Sequence, residues 1–205
     1  MYAVFDLYGQ VSRITISRFG ESMLLSAQMM LMMDSFSGFA ISNESTHKFH
    51  PICGTNVMLQ SSNAFATRIC GFDNGLVFST APLEFDEPFE VRIMEVREKW
   101  AGSLSIGVTS FSPVVVNDSN NIPSKIHEIR EPTWYICGSK VYMNGEIIKD
   151  NYCINLNLLS AGDRVGVWIC ADMSLKMSVN GQEMDVAAYN MPTVSLTFTF
   201  VCNVA

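Results

Sequence analysis

Charge is scarce in this chain. Asp, Glu, Lys and Arg make up 16% of its 205 residues, while apolar types make up 48%. That balance excludes a disordered polymer and leaves enough apolar volume for a real core. The 13 basic residues are scattered and outnumbered by 20 acidic ones, so no stripe exists to track a phosphate backbone and no nucleic-acid partner is expected. Closely spaced cysteines are missing too. Cys53, Cys70, Cys137, Cys153, Cys170 and Cys202 form no C-x-x-C, which removes support for zinc-ribbon, RING and thioredoxin-like readings. The first residues, Met1–Asp6, carry no basic n-region or cleavage signature, and free, mostly buried thiols in a reducing compartment are the expectation. Catalytic signatures are lacking: there is no G-x-S-x-G, G-x-G-x-x-G, Walker A loop or H-E-x-x-H. No catalytic residue and no cofactor is therefore assigned.

Long helices are also wanting. Met23–Phe36 (MLLSAQMMLMMDSF) is apolar almost all the way round, so it lacks the moment of an interfacial helix, and its apolar core is too short to span a bilayer. No membrane partner is expected. The nearest approach to a metal site is His47, His50 and Cys53, whose three-residue intervals suit ligation only on a helix. Pro51 and the strand context spoil that geometry, so the expectation is a first strand with an exposed His, and no metal.

What the chain has is strands. Tyr2–Ile16 (YAVFDLYGQVSRITI) holds two apolar runs around Leu7-Tyr8-Gly9-Gln10 and reads as a hairpin. Tyr2, Val4 and Asp6 fall on one face of the first run and Ala3, Phe5 and Leu7 on the other, so this strand is apolar on both faces and needs a sheet neighbour. From His47 a second all-strand pattern begins. Thr67–Gly71 and Gly75–Ser79 flank Asp73-Asn74. Phe89, Val91 and Ile93 alternate with Glu90, Arg92 and Met94, and Ser103–Thr109 alternates likewise. Trp134–Cys137 and Lys140–Met143 read as a hairpin. Asn144-Gly145 and Asn180-Gly181 each suit a two-residue type I′ turn, which needs positive φ at both central residues. Many short strands punctuated by turns argue an all-β, antiparallel β-sandwich.

Pro113–Pro132 is a long segment with few strand signals and many Asn, Ser and Pro; loops of that length within compact domains often carry function. Aromatic groups near its end can anchor a peptide. Trp134 is assigned to the core. The loop groups selected as partner-binding are Asp73, Asn74, Lys99, Trp100, Glu131 and Tyr135. Acid pairs such as Asp86-Glu87 and Glu128/Glu131 read as solvated loop acids, and a carbohydrate-binding jelly roll is an alternative on fold alone.

The stretch FHPICGTNVMLQSSNAFATRICGFDNGLVFST and its continuation to Pro113, then PTWYICGSKVYMNGEII, NLNLLSAGDRVGVWI and LKMSVNGQEM, resemble in order and spacing the neuralized homology repeat (NHR) over Phe49–Pro192. The resemblance implies a SPRY-like, concanavalin-type sandwich and a role in protein–protein recognition. It implies an adaptor in ubiquitin-linked, centrosomal regulation, binding a protein or peptide ligand. For the multi-repeat members it also implies a HECT-type ubiquitin ligase or centriolar proteins as partners, in the cytoplasm and at the centrosome. The alternative is part of a ubiquitin-protein ligase whose catalytic RING lies elsewhere. On this pattern residues 1–18 are the closing hairpin of a preceding repeat, 19–46 a Met-rich linker, and 47–205 an NHR domain. Its last strand, Thr193–Ala205, departs from the family pattern while still alternating Leu196, Phe198 and Phe200 with Thr197 and Thr199.

Overall fold

A computed structural model of the chain describes residues 1–17, 47–97, 104–116 and 118–192. The Met-rich segment, Lys99, Trp100, Cys202 and the alternating tail lie outside the described residues. Two antiparallel sheets face each other. The first contains strands β1 (Tyr2–Leu7), β5 (Leu76–Phe78), β7 (Leu104–Thr109), β8 (Thr133–Cys137), β9 (Lys140–Met143) and β10 (Glu146–Lys149), in the order β10-β9-β8-β7-β1-β5. The second contains β2 (Val11–Ile16), β3 (Val57–Gln60), β4 (Phe65–Arg68), β6 (Phe89–Val96), β11 (Arg164–Ile169), β12 (Leu175–Val179) and β13 (Gln182–Glu183), in the order β13-β12-β11-β6-β2-β4-β3. Among the described residues no helix is long and apolar enough to cross a membrane.

The two opening runs do not form a hairpin. β1 pairs with β7 and β5 in the first sheet, and β2 pairs with β6 and β4 in the second. The chain crosses between layers at residues 8–10 instead of folding back on itself. The physical reason is burial. Ala3, Phe5 and Leu7 face the main core, and Val4 faces a second cluster on the other side of the same sheet. A hairpin at one edge would leave one of those faces in water, whereas an interior strand covers both. The same burial alters the expectation for Ser103–Thr109: all six residues of β7 are buried, because both of its faces are covered. A similar crossing separates the runs flanking Asp73-Asn74, since β4 and β5 lie in different sheets.

The turns follow their chemistry. Asn144 (φ 51°), Gly145 (87°), Asn180 (53°) and Gly181 (79°) take the positive φ values expected of their hairpin tips. Trp134 is buried in the main core. Residues 113–116 and 118–132 hold three 3-10 turns, and Ile122, Ile126 and Ile129 pack with Val4, Leu76, Phe78, Phe111 and Tyr135 on the outer face of the first sheet. That satellite core places the segment firmly over the sheet.

Candidate functional site

Alternation along the first sheet builds the site. On its outer face β1 presents Val4 and then Asp6. Asp6 stands opposite Ser105 of β7 and Leu76 of β5, Ser105 stands opposite Cys137 of β8, and Tyr135 stands opposite Tyr142 of β9. The 113–132 segment covers the Val4 end and stops at Asp6. Beside it lies a cleft of about 570 Å³, with the buried Asp6 and Ser105 in its lining, Tyr8, Tyr135, Cys137 and Tyr142 from the sheet side, and Phe72, Asp73, Lys125, Ile126 and His127 from the loops. This volume is in the range of roughly 300–1,000 Å³ typical of ligand sites.

Asp6 is its most unusual member. The side chain is 3% exposed; its Oδ2 accepts from the Ile126 backbone N–H at 3.1 Å, and its Oδ1 has no hydrogen-bond partner. Burial pushes its carboxyl up to about 7, helped by the charge of Asp73 and opposed by the Ile126 N–H, Arg68 and Lys125. The neighbouring cations serve other acceptors. The Arg68 guanidinium donates to the backbone carbonyls of Tyr8, Gly9 and Gly71, and Lys125 pairs with Asp73 at 3.3 Å. Tyr135 and Tyr142 stack with centroids 4.9 Å apart and planes 2° from parallel. Burial raises the Tyr135 phenol to about 12, so it stays a neutral donor. Tyr8 Oη lies 3.2 Å from Cys137 Sγ. Phe72, 58% exposed, forms an apolar rim. Gly107 of β7 sits opposite Tyr135, and a Cβ there would meet the Trp134 carbonyl oxygen at 2.1 Å, so only glycine lets β7 and β8 approach this closely.

Of the residues selected from sequence, Asp73 and Tyr135 line the cleft. Asn74 supports it from behind, in positive φ (58°), its N–H donating to the Ser124 carbonyl at 2.7 Å. Glu131 is exposed and lies outside the lining; its backbone carbonyl accepts from Thr133 Oγ1. The cleft is also lined by Asp6, Tyr8, Phe72, Lys125, His127 and Tyr142, which the sequence does not single out. The available signal for Asp6 was a carboxylate within a strand apolar on both faces, where a charge is costly unless it has a task.

The His47, His50 and Cys53 group disperses. His47 Nε2 pairs with Glu87 at 3.2 Å, His50 is buried, contrary to the exposed His expected, with Nδ1 bonded to the Ile52 N–H, and Cys53 Sγ turns toward the Val57 carbonyl. The five described cysteines are free, but only Cys53 is fully buried, since Cys70 is exposed and the other three are partly covered. Cys70 and Cys137 lie at sheet ends and loop margins, where apolar cover is incomplete.

Comparison with known proteins gives this architecture a family. The Neuralized family model matches residues 49–205, and β1 and β2 lie ahead of that match. Neuralized-like protein 2 of Mus musculus is 36% identical over 66 residues, which is 32% of this chain and 23% of that protein. The E3 ubiquitin-protein ligase NEURL3 of Homo sapiens is 30% identical over 83 residues, 40% of this chain and 32% of that protein. This chain thus spans a third or less of the length of these relatives. The solution structure of the NEUZ (NHR) domain in Neuralized from Drosophila melanogaster superposes with a TM-score of 0.56 at 20% identity, covering 78% of this chain and 84% of that one. The sandwich is the same fold, and with three quarters of its residues inside the family match, the chain belongs to the Neuralized family.

Proposed function

We propose that this chain is a non-catalytic recognition module that binds a segment of a partner protein in the cleft over the outer face of the first sheet, and that it serves as an adaptor in ubiquitin-linked regulation. The observation that carries this reading is the cleft itself: a rigid sheet floor, a stacked tyrosine pair, an exposed Phe72 and a buried carboxylate oxygen without a donor. Its ubiquitin context is supported by the relatives named as E3 ubiquitin-protein ligases. On this reading the module brings a substrate to a ligase, or a ligase of the HECT type to its site of action. On the same reading that action is in the cytoplasm and at the centrosome, as the resemblance to the multi-repeat members implies. A fusion to a fluorescent protein that never overlaps a centriole marker would remove the centrosomal part.

Selection of a displayed random-peptide library on the chain tests the recognition step. Peptides sharing one motif are expected, and Phe72→Ser, at an exposed position, should weaken them by about tenfold or more, as for a residue contributing upwards of 1 kcal/mol at an interface. Binders indifferent to Phe72→Ser and Lys125→Glu alike, or no binders, would refute recognition through this cleft.

A further inference from the structure

The cleft also identifies the chemical group it takes, an inference that rests on the recognition role above. A buried carboxylate oxygen without a donor costs the fold free energy, and native proteins rarely leave one so. Asp6 does not owe its place to the core. The neighbouring outward position on β1 holds Val4, packed apolar against the satellite cluster. Nor does Asp6 Oδ1 find a donor within the chain. Lys125 pairs with Asp73, and Arg68 Nη1 and Nη2 donate to three backbone carbonyls, so both nearby cations act on Asp6 only through their charge and neither donates to Oδ1. The missing piece is a positively charged donor from outside. The walls narrow its shape. Tyr135, Tyr142 and Phe72 favour a flat cation that can lie along aromatic rings, and a guanidinium is flat, weakly hydrated and many-donored where an ammonium is compact and strongly hydrated.

We propose that the cleft is an arginine-binding subsite: the guanidinium of an arginine in the partner segment donates to Asp6 Oδ1, and its stem runs between the Tyr135–Tyr142 pair and Phe72. The roughly 570 Å³ of space exceeds one side chain, which leaves room for the flanking backbone near Lys125 and His127. No bond is made or broken, and the subsite contributes one charge-assisted hydrogen bond in a site largely shielded from water.

The test uses the full chain and three probes: acetyl-Gly-Arg-Gly-amide, its citrulline counterpart of the same shape without charge, and its lysine counterpart. Each is titrated at pH 8 into isotopically labelled protein. The Ile126 amide, whose N–H rests on Asp6 Oδ2, is the reporter. The arginine probe should shift that resonance saturably and bind roughly ten- to a hundredfold tighter than the citrulline probe, the worth of a hydrogen bond to a charged group. Asp6→Asn, nearly the same shape, should erase the difference. Tyr142→Leu should weaken the arginine probe while leaving the spectrum of a folded protein. Equal binding of arginine and citrulline, arginine binding that survives Asp6→Asn in a folded variant, or lysine binding as tightly as arginine would each overturn the subsite. If displayed peptides depend on Phe72 yet contain no arginine and ignore Asp6→Asn, the subsite fails and recognition through the cleft stands. If nothing depends on the cleft, the broader reading fails first.

Discussion

Phe5→Ala asks whether the opening strand is part of the fold or a passenger on it. Phe5 is completely buried at the centre of the sandwich, edge-on to Phe49 with centroids 6.3 Å apart at 86°, and tilted against Phe89 at 5.6 Å and 42°. Truncating a buried Phe to Ala costs about 3–5 kcal/mol in transfer and cavity terms. Each aromatic pair adds about 0.5–1.5 kcal/mol beyond burial, which places Phe5 toward the upper end of that range. A domain with a total stability of about 5–15 kcal/mol would lose a third or more of it. Urea denaturation followed by tryptophan fluorescence measures the change. The midpoint should fall with an unchanged slope, and the melting temperature should drop by about 6–20 °C, taking about 2–4 °C per kcal/mol at this size. Leu158→Ala, at an exposed position, is the control and should shift stability by less than about 0.5 kcal/mol. A Phe5→Ala cost below about 1 kcal/mol would refute the placement of β1 between β7 and β5.

Three further outcomes follow from the same geometry. The Asp6 carboxyl, raised to about 7 in the fold against about 3.8 unfolded, keeps a proton that the unfolded chain releases, so its stabilising contribution is complete below about pH 4, is lost as pH rises to about 7 and is flat beyond. Relative to Asp6→Asn, the natural chain should lose a few kcal/mol between pH 4 and 8 in parallel denaturation series, and no pH-dependent difference between the two would show that the carboxylate is not buried. Gly107→Ala forces a Cβ to within 2.6 Å of the Tyr135 Cα and 2.1 Å of the Trp134 carbonyl, both backbone, and should cost about 3 kcal/mol or more by the same assay. Arg68→Met removes the buried donors to the Tyr8, Gly9 and Gly71 carbonyls where the chain crosses between sheets; a loss of about 3 kcal/mol is expected, with faster amide exchange through residues 8–10.

The contrast between Phe89–Val96 and Tyr2–Ile16 shows how far the sequence reaches. In β6, Phe89, Val91 and Ile93 turn inward while Arg92 and Met94 are exposed, as their alternation requires; Glu90, expected outward with them, is buried beside Arg164 Nε at 3.9 Å, and both Asn-Gly pairs stand at hairpin tips because few other residues accept positive φ twice in succession. Local rules of period and turn chemistry therefore settled the all-β class and most strand identities. The sequence by itself did not reveal which strands are neighbours. Two apolar runs joined by a short turn look the same whether they pair with each other or part into opposite sheets, and only the need to bury both faces of β1 chose the second. Of the cleft lining, the sequence pointed only to a residue on a loop, Asp73, and one beside a loop, Tyr135. Asp6 is 120 residues from the Ile126 amide that holds it, and its carboxyl is buried with one oxygen bonded and the other without a partner only because β1, β7 and the loop around Ile126 converge there.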